Sequence, residues 1–382
     1  MVSDFKTVVI WTAAIAFVVS AAVAWLLVHT RDLHLHLTGD HPGSGPQKMH
    51  ADATPRIGGT AVLAGLLAGL SVPFLMGASE ASEALGSLRL VALSFGLMPL
   101  FALGLVEDVS KAVSVRLRLF VALAGGAVAY YLAGVRIQTL GIPGIDTLLS
   151  AVPAVSLMLT LVAVAGLVHA MNIVDGLNGL LAGITIVILG ALALVAHRFG
   201  EVGLYMLALI GMAATAGFAV FNFPLGRLFC GDAGAYLIGY LVAVMVISLV
   251  LRQPAISPWF ALAVVIHPVT ETLYSAWRRW RNGQSPTHPD ARHMHSLWAA
   301  NLRQRADETG LLVALGENAG ASLRTQAVAC LPVAAAATWP TETPVLLGIC
   351  LAYVTLFIAV VRMLERSVYG QAASRYLTDE PR

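Results

Sequence analysis

"MNIVDGLNGLLAGITIVILGALALV" (residues 171–195) decides how this chain is read. Its right half belongs to an apolar run over about residues 179–197, close to the roughly 20 residues that cross a bilayer as a helix. Its left half sets Asn172, Asp175 and Asn178 three residues apart, with Gly176 and Gly179 after two of them. A carboxylate at the mouth of a membrane helix is costly, and such residues are usually functional.

The rest of the chain reads the same way. Hydrophobic residues make up 58% of its 382 residues, charged residues 12%, and the mean hydropathy is +0.80. That composition belongs to an integral membrane protein. The net charge of +2 gives no footprint for a nucleic-acid partner. Cys230, Cys330 and Cys350 are odd in number and lack CxxC spacing, so neither a disulfide framework nor a zinc site is expected. Apolar runs predict about eleven spans, near 8–28, 57–77, 88–106, 115–134, 152–171, 179–197, 203–221, 235–251, 258–276, 325–340 and 344–362. The first is too long for a signal-peptide core and reads as a retained span. The expected fold is an all-α polytopic bundle of about 10–11 transmembrane helices. Eighteen of the 23 Lys and Arg residues fall in the loops after the odd-numbered spans and in the tail. This bias puts those loops and the C-terminus in the cytoplasm.

Five polar segments then fall on that one face: 47–59, 104–116, 172–180, 222–239 and 286–298. They carry the carboxylates Glu107, Asp108, Asp175 and Asp232 and the cationic or ionisable Lys48, Arg227, Arg292, His293 and His295. Oxygen ligands of this kind suit Mg2+, which works through one or two carboxylates plus substrate phosphates. Cationic side chains neutralise phosphate oxygens. Together these make a phosphoryl-transfer set. Taken singly, each has a plainer reading. Asp175 is a candidate helix N-cap, Glu107-Asp108 a solvated loop, and Gly231-Asp232-Ala233-Gly234 a turn. Phe229 reads as packing, and the arginines as topological charges. His293 and His295, at i and i+2, would not share a helix face. Their joint placement on one face favours a composite site at the membrane–cytosol boundary.

In order along the chain, "TPRIGG" (54–59), "GLVEDV" (104–109), "NIVDGLNGL" (172–180), "NFPLGRLFCGDAGAYLIG" (222–239) and "HPDARHMH" (288–295) resemble the motifs of the polyprenyl-phosphate N-acetylhexosamine-1-phosphate transferases. Glu107 stands where that family usually has the first Asp of a pair, and Asn178 where many members have a second Asp. The resemblance implies attack by undecaprenyl phosphate on the β-phosphorus of a UDP-N-acetylhexosamine, with UMP leaving. It implies Mg2+, with Mn2+ as a substitute, on Asp232. Asp108 with Glu107 would position the acceptor phosphate or act as base. Asp175, Asn172 and Asn178 would hold the nucleotide and sugar phosphates. Phe229 would stack on uracil, and Arg292, His293 and His295 would bind the pyrophosphate or sugar. Lys48, His50 and Asn222 complete the implied substrate-binding set.

These expectations divide the chain into one transmembrane catalytic domain (1–362) with a cytoplasmic loop (277–325) holding the histidines, and a short cytoplasmic tail (363–382). The implied setting is the bacterial inner membrane, with membrane lipid and a homodimer as further partners and initiation of a cell-surface polysaccharide as the role. Two alternatives stay open: a transporter of an anionic or lipid-linked sugar, and the phospho-MurNAc-pentapeptide transferase of peptidoglycan synthesis. Glu271, with Arg278 seven residues on along the same helix face, is expected to form a structural ion pair with another cytoplasmic-end charge, or else to be a groove residue for the lipid phosphate.

Overall fold

The computed structural model describes residues 5–40, 53–283, 292–304 and 316–378, with side chains described to residue 370. Among these residues the chain forms sixteen α-helices and one two-residue antiparallel pairing of Gly39–Asp40 with Thr54–Pro55. Eight helices are each long and apolar enough to cross a membrane. They are α1 (Phe5–His29), α5 (Leu90–Ser110), α6 (Val115–Val128, continued as a π-helical turn to Ala133), α8 (Pro153–Val174), α9 (Leu180–Arg198), α10 (Val202–Asn222), α11 (Gly231–Arg252) and the last helix, α16 (Thr343–Thr378). The short helices are α2 (Arg31–Thr38), α4 (Ser79–Gly86) and α7 (Pro143–Ala151).

The other three expected spans take different forms. The span near 57–77 is α3 (Gly59–Leu75), only 17 residues. The span near 325–340 lies within α15 (Gly316–Thr338), which begins with polar residues. The span near 258–276 is broken into α12 (Pro258–Val264) and α13 (Ile266–Arg281), with Val265 outside helical geometry. Pro268 sits in the first turn of α13, where its missing N–H costs nothing. Beyond the break α13 becomes amphipathic: Glu271, Ser275 and Arg278 are buried, while Leu273, Trp277 and Trp280 are exposed. The histidine segment 277–325 includes the end of α13, the helix α14 (Met294–Gln304) and the start of α15. Residues 363–378 of the expected tail continue α16.

Packing follows the rule for lipid solvent, with small residues inside and large apolar ones outside. On α1, Thr12, Ala16, Ser20 and Ala24 are buried, while Trp11, Phe17 and Trp25 face outward. Ser20 donates from Oγ to the Ala214 carbonyl at 2.7 Å and ties α1 to α10. Helix α11 is the axis of the bundle. It packs on α3, α5, α8 and α9, and nearly all its side chains are buried. Its first turn carries Asp232, so whatever packs around that end defines the site.

Candidate active site

Helix α5 ends with its last turns inside the bundle. Asp108 there is fully buried. Its Oδ1 accepts the backbone N–H of Asp232 at 2.8 Å and its Oδ2 that of Ala233 at 3.0 Å. Both are free N–H groups of the first turn of α11, so Asp108 caps that helix from another element. The approach requires Gly231, at φ +75°, because a Cβ there would strike the Arg56 carbonyl and the Asp108 carboxylate. Glu107 accepts from the Val113 N–H at 2.8 Å and closes the turn into α6.

Asp232 itself is nearly enclosed. Its Oδ1 accepts from Asn172 Nδ2 at 3.0 Å and from Arg56 Nη2 at 3.2 Å. Its Oδ2 accepts from the Tyr236 hydroxyl at 3.2 Å and from Arg118 Nη1 at 3.4 Å. Arg56 also lies 3.7 Å from Asp108, and Arg118 lies 3.6 Å from Glu107. Four of the five expected segments therefore meet around one carboxylate. The turn bearing Arg56 is laced to the 222–230 segment by backbone bonds: Phe229 N to Pro55 O, Gly58 N to Phe229 O and Gly59 N to Cys230 O, at 2.8 to 2.9 Å.

Asp175 follows the last turn of α8 as its C-cap residue, so it is not the N-cap of α9; Gly179 takes that position. Burial pushes the Asp175 carboxyl up to about 7, the charge of Asp232 adds to this, and Arg56 and the Gly231 N–H oppose it. The fifth segment reaches this loop through His295, whose ring Nε2 packs on Gly176 so closely that a Cβ there would clash. The rings of His293 and His295 stack, 5.4 Å apart and within 2° of parallel. Only His295 is in α14; His293 precedes it, so the i, i+2 spacing does not separate them. Burial pushes the His295 imidazole down to about 3, with His293 adding to this and Glu271 opposing it. Glu271 pairs with His293, Nδ1 to Oε1 at 2.9 Å, whereas Arg278 pairs with Glu365 of α16 at 3.7 Å.

Other expected residues hold loops in this structure. Asn222 accepts the Gly179 N–H at 2.6 Å and donates to the Leu228 carbonyl at 2.8 Å, using both ends of its amide on backbone. Asn178 donates to the Pro224 carbonyl at 3.0 Å, and its own N–H goes to Asn318 at 2.7 Å. Phe229 is half-buried at the edge of the cluster. Arg292 is exposed and stacks its guanidinium 5.0 Å over the Tyr369 ring. Lys48 and His50 lie outside the described residues. Three residues of the cluster, Arg56, Arg118 and Tyr236, are missing from the expected set. Tyr236 lies one helical turn after Asp232, a spacing that puts both on one face; Arg56 stands in the TPRIGG segment and Arg118 among the topological charges, but neither is in the expected site set.

An apolar groove of about 510 Å³ runs along another part of the bundle. Its walls are α8 (Val162, Gly166, Ala170), α11 (Val246) and α13 (Val269, Leu273). None of the residues around Asp232 lines it, and Ala170 and Asn172, two residues apart on α8, point to different sides of that helix.

Residues 90–250 match the family model described as Glycosyl transferase family 4. The chain is 27% identical to the probable undecaprenyl-phosphate N-acetylglucosaminyl 1-phosphate transferase of Bacillus subtilis, over 70% of this chain and 71% of that protein. It is 30% identical to the undecaprenyl-phosphate alpha-N-acetylglucosaminyl 1-phosphate transferase of Yersinia pestis, over 66% of this chain and 67% of that one. The Salmonella typhi protein of the same name is 31% identical over 66% of each chain.

Proposed function

Because the chain belongs to glycosyl transferase family 4, we propose that it transfers an N-acetylhexosamine-1-phosphate from a UDP-sugar to undecaprenyl phosphate. The observation that carries this reading is the meeting of four polar segments around the Asp232 carboxylate, with Arg56 and Arg118 beside it. A long prenyl chain fits an apolar groove along the bundle, and its phosphate would leave that groove at the end of α8 marked by Ala170. An acceptor-phosphate oxygen forms a bond to the β-phosphorus. The bond from that phosphorus to the bridging oxygen breaks, and UMP leaves with the oxygen.

The acceptor needs no strong base. A phosphate monoester with a second pKa near 6 is already mostly dianionic at pH 7. The protein's task is therefore positioning and charge stabilisation. Arg56 and Arg118 bring two fixed guanidiniums to the cluster. Glu107, Asp108, Asp175 and Asp232 outnumber them, but among the described residues no three acidic, His or Cys side chains are placed to hold an ion by themselves, so a hard divalent cation here would take one or two carboxylates and complete its shell with substrate phosphates. Asp232 and Asp175, beside Asn172, would hold Mg2+ or Mn2+, which supplies charge neutralisation for the transferring phosphoryl group when bound. Asp108 acts as a positioning residue for Asp232. The His293–His295 stack, reaching Asp175 through Gly176, would face the pyrophosphate or sugar, and Phe229 the uracil. The Lys and Arg bias supports a site and a C-terminus in the cytoplasm, and the bacterial relatives and eight apolar helices support a place in the inner (plasma) membrane.

The test is UMP release by purified protein supplied with Mg2+, undecaprenyl phosphate and a panel of UDP-N-acetylhexosamines. Release that needs lipid and metal, and that falls by about 10²–10³-fold or more in Asp232→Asn, is the expected outcome. Well-folded protein that releases no UMP with any donor would remove the proposal.

A further inference from the structure

Glu271 is 1% exposed, and its charge must be met from within the protein. It sits on the face of α13 turned away from the groove: Val269 and Leu273 line the apolar walls, and Glu271 and Ser275 point the other way. Three contacts meet its carboxylate. His293 Nδ1 lies 2.9 Å from Oε1, and the Met294 N–H donates to Oε1 and Oε2 at 3.3 and 3.2 Å. Met294 is the first residue of α14, so Glu271 caps that helix as Asp108 caps α11. Ser275 Oγ, one turn on, lies 3.2 Å from the same His293 Nδ1.

We infer that Glu271 is a positioning residue for donor binding, fixing His293 with its proton on Nδ1 so that Nε2 is the nitrogen offered to the sugar nucleotide. A carboxylate accepts and cannot donate, so the short contact requires the proton on the imidazole side. The choice of tautomer follows from the partner of the other nitrogen. Nε2 of His293 has no hydrogen-bond partner among the described residues. The stack then transmits the orientation: His293 lies flat against His295, and His295 packs on Gly176 next to Asp175. One buried carboxylate thus sets two rings and the start of the helix that carries the second.

The kinetic arm of the test rests on the proposed transferase reading; the spectroscopic arm does not. In the full chain labelled with 15N-histidine, His293 is identified by the signals lost in His293→Gln. The expected wild-type spectrum shows His293 protonated at Nδ1, and in Glu271→Gln that proton moves or exchanges between the two nitrogens. Wild-type protein with His293 protonated only at Nε2 overturns the inference whether or not the variant folds. In turnover assays Glu271→Gln should raise the KM for the UDP-sugar by about tenfold or more, the scale of losing an orienting partner, with the KM for the lipid phosphate unchanged. A variant with an unaltered donor KM, or with both KM values raised alike, overturns it. Absence of UMP release from the wild type, with the Nδ1 proton present, would strike the transferase reading and leave the positioning role standing.

Discussion

Asp108 accepts the backbone N–H of Asp232 at 2.8 Å, and of Ala233 at 3.0 Å, from a position 124 residues away in sequence. The two aspartates of the proposed centre are therefore joined through backbone. One holds the helix end from which the other projects. An amide at position 108 would keep one acceptor and turn an NH2 toward a backbone N–H. Asp108→Asn should lower stability by about 1–3 kcal/mol, the cost of an unsatisfied buried donor, and reduce UMP release. Thermal unfolding and turnover measured on the same preparation check this, and a variant with wild-type melting and turnover would show that the cap is unimportant.

Groove occupancy can be probed at Gly166, which lines the groove and has nothing within 4 Å of where a Cβ would sit. Gly166→Leu should fold and intrude on the prenyl chain. The expected change is a rise of about tenfold in the KM for undecaprenyl phosphate, about 1.4 kcal/mol, with the KM for the UDP-sugar unchanged.

Contact between the histidines and the Asp175 loop predicts the effect of Gly176→Ala. The added methyl meets the His295 ring, so the loop and α14 must separate. Donor KM should rise, while the melting temperature falls by only a few degrees, an effect of about 1 kcal/mol or less. Titration calorimetry with the UDP-sugar tests this without turnover.

Acid sensitivity follows from His295. Its folded-state pKa is pushed down to about 3 from the ordinary 6.5. Between those values the unfolded chain binds a proton that the folded protein refuses. This contribution to stability is complete above pH 6.5 and is lost as pH falls toward 3, by up to about 1.4 kcal/mol per pH unit. Asp175, raised to about 7, works in the opposite direction as pH rises from about 4. The informative comparison is therefore wild type against His295→Gln: the variant's melting temperature should fall less between pH 7 and pH 5.

Membrane orientation is tested separately. A reporter fused after Arg382 should give a cytoplasmic signal, as the distribution of Lys and Arg requires; an external signal would invert the proposed topology.

Much of this was legible in the sequence because lipid imposes a simple code. Each of the eleven apolar runs falls on helix, eight of them on helices long and apolar enough to cross a membrane, and four polar segments converge on Asp232 as their shared face required. The departures have physical causes. The break at Val265 falls in an apolar context, and the polar face of α13 is hidden in the run by Leu273 and Trp277. Arg56 and Arg118 were masked by topology, since an arginine at a membrane boundary carries the same letter whether it meets lipid phosphate or Asp232. Asn178 and Asn222 looked like ligands for substrate, but their amides secure the backbone of the loops around Pro224 and Gly179. Sequence spacing cannot tell a polar side chain facing a substrate from one facing a carbonyl. Glu271 does meet a partner from the cytoplasmic end, but that partner is His293, from another element, while Arg278 of its own helix pairs with Glu365.

The helix ends bearing Asp232 and His295 each borrow their cap from a different helix, Asp108 for one and Glu271 for the other. Neither end is complete when its own segment has merely formed. A chain inserted span by span would thus carry every residue of the centre and yet have no centre until α5 seats against α11 and α13 against α14. Competence would then arrive in one step with assembly, and a half-built protein in the bilayer would have none.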